Sequence, residues 1–226
     1  MKPEKLPTTS KNDLEKFFLE NNGKVIHKWW HYFEIYEKHF AKFRNQKPRI
    51  LEIGVHGGGS LCLWKNYFGQ GSTIYGIDIN PSCKRLEEEN INIIIGSQGD
   101  LHFLNKIREE IGQVDIIIDD GSHIFHHQIL SLETLYPMVK EGGIYLCEDT
   151  HTSYSKDYGG FVKNPSTFME YAKDITDKLN FNHNDIERDY IALNTFSATF
   201  YDSIVILEKR KVVEPWHYRT GFTDGF

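Results

Sequence analysis

Arg49-Ile50-Leu51-Glu52-Ile53-Gly54-Val55-His56-Gly57-Gly58-Gly59-Ser60 is the most informative stretch of the chain. Its first half is aliphatic without polar alternation, as expected of a strand buried on both faces. Its second half is glycine-rich and leads into Leu61-Cys62-Leu63-Trp64, the opening of an amphipathic helical stretch. Glycine lets the backbone turn sharply and come close to a ligand. The free N–H groups of the helix that follows favour an anion such as a carboxylate. Glu52, Gly54, Gly58 and Ser60 are therefore candidate ligand-binding residues, with a purely structural turn as the alternative for this stretch taken alone.

Outward from this point the pattern repeats. Short β-branched runs over 49–55, 73–79, 91–95, 114–118 and 143–147 end in glycine or acid and are separated by helix-length stretches. That is the signature of a parallel sheet with helices on both faces. Near the end, 192–200 and 203–209 flank Tyr201-Asp202, a spacing that predicts a tight hairpin and an antiparallel final pair. The expected fold is α/β, Rossmann-like, with a mostly parallel seven-stranded sheet and an antiparallel C-terminal hairpin strand. In such sheets ligands sit outside the carboxyl ends of the strands. The second strand ends at Asp78, whose carboxylate can accept both hydroxyls of a ribose. The third leads into Gly96-Ser97-Gln98-Gly99-Asp100, a polar loop that makes Gln98 and Asp100 further candidates. His56 stands two residues after Gly54, which breaks the G-x-G-x-x-G dinucleotide pattern and disfavours a nicotinamide enzyme.

The fourth strand delivers Asp119-Asp120-Gly121-Ser122-His123 and the fifth Glu148-Asp149-Thr150-His151. Two acid pairs on neighbouring strand ends bring four carboxylates together, and without a cation they repel one another. A hard, oxygen-liganded divalent ion such as magnesium resolves the repulsion with few protein ligands. Asp120, Glu148 and Asp149 are the expected ligands. Asp119 is grouped with the ligand-binding residues, although helix capping competes for Asp119 and Ser122. His123 follows Asp120 by three residues, so an imidazole could take a hydroxyl proton beside a bound cation. His126 and His127 fall on the next helical stretch and are expected to pack or to orient other groups.

A chain of 226 residues, 39% hydrophobic and 26% charged, suits one α/β domain. Three divisions are expected. Residues 1–46 form an N-terminal helical or lid segment, 47–210 the ligand-binding domain, and 211–226 a tail that contributes to the acceptor site. The net charge of -6 argues against a nucleic-acid partner. No apolar run approaches the roughly 20 residues of a membrane span, and the first residues lack a leader pattern, so a cytoplasmic protein is expected. Cys62, Cys83 and Cys147 form no CxxC pair and are expected to be packing residues. The aromatic run Trp29 to Phe40 is too dense in apolar residues for a clean helical stripe and reads as a helix buried on several sides or one covering a cleft; the same residues could also serve a homo-oligomer.

Glu52-x-Gly54-x-x-x-Gly58 resembles the first motif of class I methyltransferases. Together with Asp119-Asp120-Gly121-Ser122-His123, Glu148-Asp149-Thr150-His151-Thr152-Ser153-Tyr154 and Phe200-Tyr201-Asp202-Ser203, the chain resembles the metal-dependent sugar O-methyltransferases of the macrocin and mycinamicin type and the related cephalosporin hydroxylase-like group. The resemblance covers about residues 25 to 210. It implies S-adenosylmethionine as methyl donor, with Gln98 and Asp100 near the adenine. It also implies magnesium held by Asp120, Glu148 and Asp149, and His123 as general base. The implied acceptor is a hydroxyl of a sugar or glycosylated small molecule. A catechol or phenol acceptor is the alternative within the fold, and a non-catalytic binding protein is the alternative outside enzymes. Ser155 stands where the pattern places a tryptophan.

Overall fold

The computed structural model describes residues 7–221. Residues 1–6 and 222–226, the outer ends of the expected N-terminal segment and tail, lie outside the described residues. The helices are α1 (Asp13–Glu20), α2 (Tyr32–Phe40), α3 (Gly59–Phe68), α4 (Leu101–Ile111), α5 (Phe125–Leu135), α6 (Phe168–Lys178) and α7 (Tyr190–Asn194). The strands are β1 (Arg49–Ile53), β2 (Thr73–Asp78), β3 (Ile91–Ile95), β4 (Val114–Asp119), β5 (Val139–Cys147), β6 (Thr195–Tyr201) and β7 (Ile204–Lys209).

These strands make one seven-stranded sheet in the order β3-β2-β1-β4-β5-β7-β6. The first five are parallel, and β7 runs antiparallel to both β5 and β6. This is the expected α/β architecture. Alternate residues of each central strand enter opposite cores. Ile50, Ile116, Ile118, Ile144 and Leu146 pack on one face with Phe33, Tyr36 and Phe40 of α2 and Leu61, Trp64 and Phe68 of α3. Leu51, Ile53, Ile117, Tyr145 and Cys147 pack on the other with α4, α5 and α6. With both faces covered, the strands have no reason to alternate polar and apolar residues.

Helix α4 shows how the sequence fixes one element. Asp100 caps it by accepting from His102 N and Phe103 N, Gly112 ends it, and Leu104, Ile107 and Ile111 form its buried stripe. Full burial of each such aliphatic side chain contributes about 1.5–3 kcal/mol.

Three strand boundaries differ from expectation by more than one residue. β1 stops at Ile53 because Gly54 turns to φ +98°, outside the β region. β5 begins at Val139, earlier than expected, since its exposed first half carries Glu141 and Gly142, which do not look like strand residues. Residues 192–194 belong to α7, because the Asp189 carboxylate accepts from Ala192 N at 2.8 Å and nucleates a helical turn there.

The N-terminal helices are not a detached cover. Leu14 of α1 and Tyr32, Phe33, Ile35, Tyr36 and Phe40 of α2 belong to the same core as the sheet. Of the tail, 211–221 has no regular element, and Val213, Trp216 and Tyr218 are exposed. The three cysteines are free: Cys83 and Cys147 are buried and Cys62 is half-buried. No helix of the described residues is long and apolar enough to cross a membrane.

Candidate active site

The chain turns from β1 toward β2 and β3 on one side and continues through β4 and β5 on the other, so the crevice for a ligand opens between the ends of β1 and β4. There Asp120 N donates to Ile53 O at 2.9 Å, and a Cβ on Gly54 would overlap the Asp120 carbonyl. Only glycine permits both the positive φ and this approach. Two cavities, of about 540 and 300 Å³, meet at this point and share Gly54, Asp78 and Gly121 as walls.

The smaller cavity is lined by Ile53, Ile77, Ile79 and Ile124, the last two 71% and 36% exposed, together with Gln98, Ser122 and His127. Asp78 organises the floor. Its Oδ2 accepts from Val55 N at 2.9 Å and His56 N at 3.0 Å, and its Oδ1 from Asn80 N at 2.8 Å. Partial burial would raise this carboxyl, but the three backbone donors hold it below the usual range. Gln98 Oε1 accepts from Ser122 N at 2.9 Å and its amide donates to Asp119 Oδ1 at 2.6 Å. Asp119 also accepts from Tyr145 O–H and is fully buried; burial pushes it up to about 7 against these two donors. It braces Gln98 from beneath and lines neither cavity. Ser60 Oγ donates to Glu52 Oε2 at 2.9 Å, and burial pushes Glu52 up to about 7. Gly58, at φ +75°, is the N-cap of α3. Gly58 and Asp100 line neither cavity, so Asp100 is placed by the structure as a helix cap.

The larger cavity holds the acids. Ligand atoms of Asp120, His123 and Asp149 lie within 4.8 Å of one another. His123 Nε2 is 3.6 Å from Asp149 Oδ2 and 3.9 Å from Asp120 Oδ1. Both His123 and Asp149 adopt left-handed backbone conformations, at φ 57° and 52°. Such strain persists only where surroundings over-determine it. Here Thr152 Oγ1 donates to His123 O at 3.1 Å, and Tyr32 O–H donates to Asp149 Oδ1 at 2.6 Å. Glu148 is turned the other way. It is 1% exposed, with Tyr36 O–H donating to Oε1 at 2.6 Å and Lys28 Nζ to Oε2 at 2.8 Å. Of the expected ligand set, Asp120 and Asp149 thus face the cleft beside His123, and Glu148 stands behind them. His127 Nδ1 lies 2.9 Å from Ser122 Oγ.

Three polar residues were not singled out by sequence: Lys28, Tyr32 and Tyr36. Burial and the neighbouring carboxylates push both phenols well above their ordinary pKa, so they act as donors. Burial raises Glu148, as does Asp120, while the ammonium of Lys28 opposes it. Burial alone would lower Lys28, but Asp120, Glu148 and Glu52 raise it. The available signal was the spacing: Tyr32 and Tyr36 are four apart and share one face of α2.

The sheet order, the glycine turn after β1 and the acid that ends β2 define a class I methyltransferase fold, and residues 51–150 match the family described as a methyltransferase domain. The chain is 46% identical over 143 residues to the 8-demethyl-8-(2-methoxy-alpha-L-rhamnosyl)-tetracenomycin-C 3'-O-methyltransferase of Streptomyces olivaceus, covering 59% of this chain and 36% of that protein. It is 36% identical over 190 residues to the mycinamicin VI 2''-O-methyltransferase of Micromonospora griseorubida, covering 77% of this chain and 47% of that protein. Among solved structures it resembles the MycE methyltransferase in complex with Mg, SAH and mycinamycin VI. The TM-score is 0.77 at 33% identity, over 88% of this chain and 53% of that one. Over the region it shares with them, the chain resembles the sugar O-methyltransferases of the macrocin and mycinamicin type. It spans between 36% and 49% of the length of the curated relatives it matches.

Proposed function

We propose that the chain is an S-adenosylmethionine-dependent, divalent-metal-assisted O-methyltransferase acting on a hydroxyl of a sugar or glycosylated metabolite. The observation that carries this reading is the meeting of Asp120, His123 and Asp149 at the mouth of a cleft whose other arm is an apolar slot. The slot lined by Ile79 and Ile124 suits the flat face of an adenine. Asp78 stands where the two arms join, which suits a ribose, and Ser60 and Gly57 line the arm leading to the acids. The donor set of hard carboxylates suits magnesium. Asp120 and Asp149 would hold the ion, with Glu148 completing the acid group.

S-adenosylmethionine supplies a methyl group on a sulfonium, and the divalent ion supplies charge stabilisation for the acceptor oxygen. The rest belongs to the chain. The acceptor hydroxyl gives its proton to the His123 imidazole, an O–CH3 bond forms as the S–CH3 bond breaks, and the thioether leaves neutral. Asp149 and Asp120 keep the imidazole directed into the cleft, and Tyr32 keeps Asp149 in place. Most of the acceleration would come from holding donor and hydroxyl in line. The relatives named for rhamnosyl-tetracenomycin and mycinamicin support a sugar-bearing acceptor. The cytoplasm is the proposed compartment.

The test is methyl transfer to a panel of sugar nucleotides, glycosides and catechols, with and without EDTA. Transfer to a glycoside that stops with EDTA and in Asp120→Asn supports the reading. Catechol as the preferred acceptor overturns the substrate class, and undiminished transfer in EDTA overturns the metal.

A further inference from the structure

Lys28 is the least expected group in the molecule. Its side chain is 2% exposed, in the non-helical segment before α2, and its ammonium lies among three carboxylates: 2.5 Å from Asp120 Oδ2, 2.8 Å from Glu148 Oε2 and 3.8 Å from Glu52 Oε1. Glu52 and Glu148 are themselves buried, so this one cation compensates acids from the ends of β1, β4 and β5. Removing one partner of such a group leaves uncompensated buried charge.

Resting on the function proposed above, we propose that Lys28 is a positioning residue that sets the affinity of the divalent-metal site. Its ammonium takes one oxygen from each of Asp120 and Glu148, so a metal ion at these acids must share them with a positive charge a few ångströms away. Two effects follow with opposite signs. The lysine weakens metal binding through like-charge repulsion and through competition for carboxylate oxygens. It also keeps the acids folded in place by balancing their charge. The segment that carries it, 25–28, lines the same cavity, and Val25 O accepts from Gly59 N at 3.1 Å, so the lysine is anchored on the turn that opens α3.

The experiment is calorimetric titration of Mn2+ and Mg2+ into purified wild type and Lys28→Met, with thermal unfolding of each in EDTA and in saturating Mg2+. Lys28→Met is expected to bind either ion at least about tenfold more tightly. It should also melt lower than wild type in EDTA and gain more from Mg2+ than wild type does. Lys28→Met/Glu52→Gln against Glu52→Gln alone repeats the comparison with one acid fewer, for the case that the single variant does not fold. Folding of these variants only with Mg2+ also supports the inference, since the ion then replaces the lost charge. Unchanged or weaker metal binding on loss of Lys28 overturns it, as does failure to fold even in saturating Mg2+. If wild type and variant alike bind neither ion, the metal-assisted function falls together with the inference. If wild type binds and the variants bind no better, the inference alone falls.

Discussion

Deleting the hydroxyl of Tyr36 isolates one contact on which the acid group depends. The phenol donates to Glu148 Oε1 at 2.6 Å, and both residues are almost wholly buried, at 0% and 1% exposure. In Tyr36→Phe water has no access to take the place of the lost donor. A hydrogen bond to a charged group contributes about 1.5–3 kcal/mol, and an acceptor left unpaired in the interior costs the same order. About 2 kcal/mol in a chain of this size corresponds to a fall in Tm of about 4–8 °C. The control is the same chemical deletion at Tyr67, whose O–H donates to Glu37 Oε2 at 3.1 Å. Glu37 is half-exposed, so water replaces the phenol and Tyr67→Phe should cost less than about 1 kcal/mol. Both variants are to be melted in EDTA, followed by circular dichroism. Equal shifts for the two, or no shift for Tyr36→Phe, would refute the claim that the phenol holds Glu148 in place.

His123→Ala should lower the rate of methyl transfer by about 10²–10⁴-fold, the usual contribution of a general base, with S-adenosylhomocysteine still bound when measured by calorimetry. A rate undiminished from wild type would remove the imidazole from the chemistry. Asp78→Ala strips Val55, His56 and Asn80 of a shared acceptor and removes one of the walls common to both cavities. S-adenosylhomocysteine should bind at least about tenfold more weakly, and unchanged affinity would place the ribose elsewhere. Asp100→Ala separates capping from binding: loss of the N-cap of α4 should cost about 1 kcal/mol in urea unfolding, with cofactor affinity unaltered. A clear loss of affinity would return Asp100 to the binding residues.

What could be read from the sequence and what could not divide along a physical line. A parallel sheet places all its carboxyl ends on one edge, so residues at or just after each strand end, such as Gly54, Asp78, Asp120 and Asp149, are neighbours whatever loops follow. Strand runs are local in sequence, and this part of the site was legible. Which way each side chain turns after the strand ends is not local. Glu148 and Asp149 are consecutive acids with the same chemistry. The left-handed backbone at Asp149, φ 52°, sends the second into the cleft while the first meets Tyr36 and Lys28 inside. Nothing in the pair itself distinguishes them, since the difference is made by groups 112 and 120 residues earlier. Asp100 and Asp119 show the same limit in reverse, acids in the expected loops that are used as a cap and as a brace. Converging carboxylates call for a cation, but that cation need not come from outside. Here the chain supplies one of its own, Lys28, from a segment whose aromatics join the core beside it.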